Sequence, residues 1–223
     1  MKGNQRAVMI FGQPGSGKGT QADLLEEKNE FFHFDSGKFL ESIVHDPKNT
    51  NNQEIQKEKE NFDTGKLISP SFILKFVNIE AKKIAQEGKS IVFSGSPRTK
   101  YEVLGDDQAK GLIFTLESLY GKENLHSIFI KVSDETSIKR NSKRIICVKT
   151  GKPVLKEEDC DGPVRHRTLD KPEIIKKRLI EYQERTVPAI NAIKELGYTV
   201  HQVDGEKSPQ EVREEILTIL NEE

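Results

Sequence analysis

The stretch Gly12-Gln13-Pro14-Gly15-Ser16-Gly17-Lys18-Gly19-Thr20-Gln21 holds the residue types that wrap a polyphosphate. Its glycines let consecutive backbone N–H groups turn inward on an anion without a Cβ in the way. A helix N-terminus behind the loop adds positive potential, and the Lys18 ammonium can reach terminal phosphates. This chemistry needs a strand before the loop and a helix after it. Both are legible: Ala7-Val8-Met9-Ile10-Phe11 reads as a buried strand, and Ala22-Asp23-Leu24-Leu25 opens an amphipathic helix. The residue after Lys18 is Gly19, and the hydroxyl that usually follows the lysine comes one later, at Thr20. That spacing argues against a GTPase or motor ATPase.

Arginines form the second group, and Arg98, Arg140, Arg144, Arg167 and Arg178 are the five that a family resemblance singles out. A guanidinium stays charged and offers a planar fork that holds phosphate oxygens in pairs. Arg140 and Arg144 stand four apart on a predicted helix, so they share a face. Phosphoryl transfer between two nucleotides crowds negative charges together, and convergent arginines are what neutralise and align them.

The elements that must position these groups alternate. Short apolar runs at Ala7–Phe11, Phe31–Phe34, Ser90–Phe93, Ser127–Val132 and Tyr198–Val203 read as strands, with helical patterns between them. Such alternation predicts a parallel, doubly wound sheet whose ligands sit past the carboxyl ends of the strands. The P-loop, Ser36-Gly37, Ser94-Gly95 and the segment after Val132 all fall at such ends. Residues 36–87 are helix-rich with a polar centre, and residues 143–170 are loop-like and rich in Lys, Asp, Gly and Pro. A loop that long inside a compact domain reads as a lid or binding element. The charge-rich run Gln53–Asn61 reads as a solvated helix face.

The string G-x-P-G-S-G-K-G-T-Q resembles the adenylate kinase family of nucleoside monophosphate kinases, and the likeness runs from about residue 7 to 220. Ser94-Gly95-Ser96-Pro97-Arg98-Thr99 resembles the family's D-G-F-P-R-T, Arg140 and Arg144 its R-x-x-x-R, and Val203-Asp204-Gly205-Glu206-Lys207 its V-D-G-x-K. The resemblance implies one domain over residues 1–223: a P-loop, doubly wound, five-stranded parallel sheet with a helical NMP-binding insertion at 36–87 and a lid at 143–170. It implies reversible transfer of the ATP γ-phosphoryl group to a nucleoside monophosphate, first of all AMP, with Mg2+ carried by ATP and Thr20. A preference for GMP or another monophosphate, or a nucleotide-binding paralogue with little kinase activity, are the alternatives.

By the same resemblance the donor nucleotide lies on Gly15, Ser16, Gly17, Lys18, Gly19, Thr20, Arg140, Arg144 and Lys207. The acceptor lies on Ser36, Gly37, Glu41, Lys66, Leu67, Ile68, Gly95, Arg98, Glu102, Arg167 and Arg178. Lys18 and the five arginines carry the catalysis. Departures gather at the acceptor side. The family's T-G-D-x-x-R is Ser36-Gly37-Lys38-Phe39-Leu40-Glu41 here, so an acid has become Lys38 and a phosphate-binding arginine Glu41. Standing three apart on a helix, Lys38 and Glu41 are expected to pair. Ser94 replaces an Asp of the Mg2+ shell, and Glu102 replaces a Gln that reads the acceptor base. A carboxylate there accepts only, which would suit the two donors of a guanine edge.

Bulk composition excludes other classes. Lys+Arg number 35 against 36 Asp+Glu, so no global field draws the chain to nucleic acid or a membrane. No apolar run approaches the roughly 20 residues that span a bilayer, and no signal peptide precedes the first strand. The expectation is a cytoplasmic monomer. Cys147 and Cys160 are too few for a disulfide scaffold, and each lacks the partner three residues on that a lid zinc would need. Of the histidines, His33, His45, His126 and His201 belong to no motif.

Overall fold

The computed structural model describes residues 5–29, 31–154 and 156–221. Residue 155, inside the expected lid, and both ends of the expected 1–223 domain lie outside them.

Strand β1 (Ala7–Phe11) is buried at every position, as an apolar run covered on both faces requires. It pairs in parallel with β3 (Ser90–Phe93) on one side and β4 (Leu125–Lys131) on the other. Outside these lie β2 (Phe31–Phe34) and β8 (Val200–Asp204), giving the order β2-β3-β1-β4-β8. The doubly wound five-stranded parallel sheet is therefore as expected. Two strands shift by a residue or two at each end, to Leu125–Lys131 and Val200–Asp204. β4 starts at Leu125 because its pairing with β1 begins at Ala7↔Leu125, and β8 starts at Val200, the partner of Ser127.

The β1 side chains alternate between two cores. Ala7, Met9 and Phe11 face α4 (Pro70–Gln86), α6 (Leu112–Tyr120) and α9 (Val187–Glu195). Val8 and Ile10 face α1 (Lys18–Asn29) and α10 (Pro209–Asn221). The order reverses at β1, so the crevice beyond its carboxyl end is the topological switch point where such sheets bind ligands.

Between β2 and β3 run α2 (Ser36–Val44), α3 (Gln53–Asp63) and α4. The charged run on α3 is not wholly solvated: Glu58 is buried and accepts from the Ser69 backbone N–H at 2.9 Å. Short α5 (Lys100–Leu104) follows β3, and α7 (Asp134–Ser142) follows β4. The segment expected to be loop-like carries a small antiparallel sheet, with β5 (Ile145–Cys147) between β6 (Pro153–Val154) and β7 (Val164–Arg165). Cys147 and Cys160 are joined in a disulfide with their Cα atoms 5.4 Å apart. The two cysteines, too few for a disulfide scaffold, still form one link, because folding β5 against β7 brings together thiols that lie thirteen apart in sequence. Helix α8 (Pro172–Glu181) leads through a π turn at Tyr182–Thr186 into α9. Such turns recur at functional sites, and Arg178, Glu181, Tyr182 and Thr186 all face the main cavity.

Candidate active site

One cavity of about 300 Å3 opens past the carboxyl ends of β1 and β3. The P-loop forms its floor. Gly15 adopts φ +80°, which other residues rarely tolerate, and a Cβ there would meet Asn141 Nδ2 at 2.6 Å. Helix α7 thus seats directly on the loop, and Ser137 Oγ donates to Pro14 O at 2.5 Å. Gly17, Lys18, Gly19 and Thr20 line the same wall, while Ser16 is buried behind it.

Lys18 Nζ donates to Gly12 O at 2.6 Å and to Gln13 O at 2.9 Å. Burial pushes its pKa well below the ordinary value, and the charges of Arg98, Arg178 and Arg144 add to the effect. Those cations are therefore near neighbours. Burial also lowers Arg98, and it brings Arg178 down to about 9 with help from Arg144, Arg167 and Arg98. Removing cations from water and crowding them is unfavourable until an anion arrives. The pocket is thus preorganised for several negative charges.

Asp170 is the anchor of this cluster. Its carboxylate accepts from Arg144 Nε at 2.8 Å and from Nη2 at 2.5 Å, and lies 3.5 Å from Arg178 Nη1. It holds two guanidiniums in place at the foot of the small β6-β5-β7 sheet. The sequence shows Asp170 only as an acid after the lid arginine; its grip on Arg144, twenty-six residues earlier, is a tertiary event.

Of the expected site residues, Gly15, Gly17, Lys18, Gly19, Thr20, Gly37, Glu41, Lys66, Leu67, Gly95, Arg98, Arg144, Arg167 and Arg178 line the cavity. Ile68 and Ser36 are buried beside it. Ser36 Oγ is shielded from water with no hydrogen-bond partner, and Gly95 lets it approach because a Cβ there would sit 2.3 Å from it. Arg140 is drawn aside: its Nη2 donates to Gly205 O at 2.9 Å, joining α7 to the turn after β8. Lys207 pairs instead with Glu215 on α10 at 3.0 Å.

Two expectations are corrected. Glu41 does not turn to Lys38. Its carboxylate reaches across the cleft to Arg167 at 3.5 Å and Arg165 at 3.6 Å, because β7 and the residues after it bring both arginines over α2. Glu102 is not among the residues lining the cavity. It is 3% exposed and turns back on its own loop. There it accepts from the Arg98 backbone N–H and from Thr99 Oγ1, each at 3.1 Å. Thr99 in turn caps α5, so Glu102 fastens the turn that carries Arg98. Burial raises its pKa to about 7 against the lowering effect of Arg98 and Thr99.

Oxygen donors suitable for a magnesium ion stand at the same wall: the exposed Thr20 hydroxyl and the carboxylate of Asp35. Mg2+ takes oxygen ligands and keeps much of its water, so the donor set fits the ion.

The sequence profile of the adenylate kinase family matches residues 10–198. The chain is 34% identical to the adenylate kinase of Lachnoclostridium phytofermentans, over 96% of this chain and 97% of that protein. It is 32% identical to the adenylate kinase of Chlamydia pneumoniae, over 95% and 96%. With that of Petrotoga mobilis it shares 30%, over 96% of each.

Proposed function

The chain belongs to the adenylate kinase family of nucleoside monophosphate kinases, and on that premise we propose that it transfers the γ-phosphoryl group of ATP reversibly to AMP, forming two ADP. The observation that carries this reading is the convergence of Lys18, Arg98, Arg144, Arg167 and Arg178 on one P-loop cavity. No single nucleotide needs so many cations; a donor triphosphate and an acceptor monophosphate together do.

In this reading the P-loop amides and Lys18 hold the donor phosphates, and Arg144 neutralises charge as it builds on the transferring group. Arg98, held by Glu102, and Arg178, held by Asp170, grip the acceptor phosphate, with Arg167 reaching down from the lid. Arg140 and the Gly205 turn bound the donor base. Thr20 and Asp35 would hold Mg2+, which would supply charge neutralisation for the ATP phosphates. No protein nucleophile is required for transfer to AMP, since alignment and charge neutralisation lower the barrier. Closing the lid keeps water from the γ-phosphoryl group. Among the described residues no helix is long and apolar enough to cross a membrane.

Glu102 turns away from the cavity, so the residue that pointed to a guanine edge does not support GMP over AMP. Steady-state assays offering MgATP with AMP, GMP, CMP and UMP test the reading. ADP formed from AMP faster than any other diphosphate is the expected result, and no nucleoside diphosphate from any of the four overturns it.

A further inference from the structure

No motif singles out His33 or Asp23, yet the fold joins them to Ser94. His33 belongs to β2, Asp23 lies on α1 just past the P-loop, and Ser94 follows β3. His33 Nδ1 is 2.8 Å from Asp23 Oδ1, and Nε2 is 2.7 Å from Ser94 Oγ. The His33 side chain is 4% exposed and that of Asp23 14%.

An ionised Asp23 accepts the proton on Nδ1. The neutral ring then has one lone pair left, on Nε2, and the Ser94 hydroxyl donates to it. Both lone pairs of Ser94 Oγ remain unused by the ring. Nucleophile, base and orienting acid stand in hydrogen-bonded sequence, which is the arrangement that activates a hydroxyl. Ser94 and Asp23 both line the cavity with Lys18 and the arginines. The electrophile that such a cavity gathers is phosphorus. Asp23 and His33, with Glu26, also form a group of possible metal ligands. The proton shared between Nδ1 and Oδ1 occupies the facing lone pairs, so a cation is the poorer fit.

We propose that Ser94 is itself a phosphoryl acceptor, taking the γ-phosphoryl group of ATP when no monophosphate occupies the acceptor site. The proposal rests on the ATP-binding reading above. In the step, Ser94 Oγ bonds to the γ-phosphorus while the bond from that phosphorus to the β–γ bridging oxygen breaks. The hydroxyl proton passes to His33 Nε2, and the imidazolium is stabilised by Asp23. ADP leaves with the bridging oxygen, and the products are ADP, phosphorylated Ser94 and one proton. Arg98, Arg144 and Arg178 neutralise the new phosphoserine as they would a substrate phosphate.

The test incubates the full chain with MgATP and no acceptor, then measures intact mass and maps the modified peptide. A parallel aliquot is assayed for ADP formation from ATP and AMP. We expect a gain of one phosphoryl group on Ser94. It should be lost in Ser94→Ala and appear about 100-fold more slowly in His33→Gln, which keeps a hydrogen bond but is no base. Mapping on the unaltered chain keeps the test independent of whether the variants fold. An unmodified chain that converts AMP overturns this proposal and leaves the kinase reading standing. A chain modified at Ser94 that phosphorylates no monophosphate supports the proposal and overturns that reading, and a chain that does neither overturns both. Modification at another residue, or at an unchanged rate in His33→Gln, also refutes it.

Discussion

Glu102→Gln should make the protein more stable at pH 8 and leave it nearly unchanged at pH 4. In the folded chain the Glu102 carboxyl keeps its proton to about pH 7, against an ordinary value of 4.5, because it is fully buried. The unfolded chain releases that proton near 4.5. Between these two values the folded state binds more protons than the unfolded one, so stability falls as pH rises. The favourable contribution is intact below 4.5 and gone above about 7. The interval corresponds to about 3 kcal/mol. A neutral amide has no such interval. Its oxygen can accept from the Arg98 N–H and its NH2 can donate to Thr99 Oγ1, the two groups that Glu102 now engages. Other groups titrate identically in both proteins, so the difference between them isolates position 102. Denaturant melts of both proteins at pH 4, 5, 6, 7 and 8 would read it. The advantage of the variant should open between pH 5 and 7 and reach about 2–3 kcal/mol, on the order of 6–10 °C in Tm for a chain of this size. Parallel stability curves across that range would refute the buried, proton-holding Glu102.

Glu41→Gln frees Arg165 and Arg167 from a carboxylate that competes with the acceptor phosphate. These partly exposed pairs are worth about 1 kcal/mol together, so KM for AMP should fall about three- to tenfold with kcat unchanged, and a raised KM would contradict this. Asp170→Asn removes the charge that holds Arg144 and Arg178. Stopped-flow or steady-state assays should show kcat down about 100-fold, the scale of losing one oriented transition-state donor. Reducing the Cys147–Cys160 link, or replacing Cys147 by Ser, frees the lid hairpin. Closing a loop of that length is worth about 3 kcal/mol in the chain-entropy view. Faster hydrogen exchange across residues 145–165 on adding reductant is the expected signature, and unchanged exchange would count against it.

What could be read from the chain alone was whatever depends on near neighbours. An anion-binding loop needs only glycines, a lysine and two flanking elements, all within about twenty-five residues. The alternation of apolar runs with helical patterns sets which faces are buried, and so the parallel sheet and its ligand edge. Arginines at those edges must meet in the crevice, as Arg98, Arg144, Arg167 and Arg178 do. Polar partners across the crevice were not legible, because apolar periodicity says which face of an element is covered and nothing about what it meets. Glu41 had a local partner in prospect at Lys38 but found Arg165 and Arg167, more than a hundred residues away. Glu102 reads as a base-facing group until α5 turns it inward onto its own loop. His33 meets Asp23 and Ser94 only because β2 and β3 end side by side with α1 packed against them, and the two cysteines meet only because their segment folds as a sheet. Their geometry depends on the rotation and spacing of packed elements, which long-range packing decides.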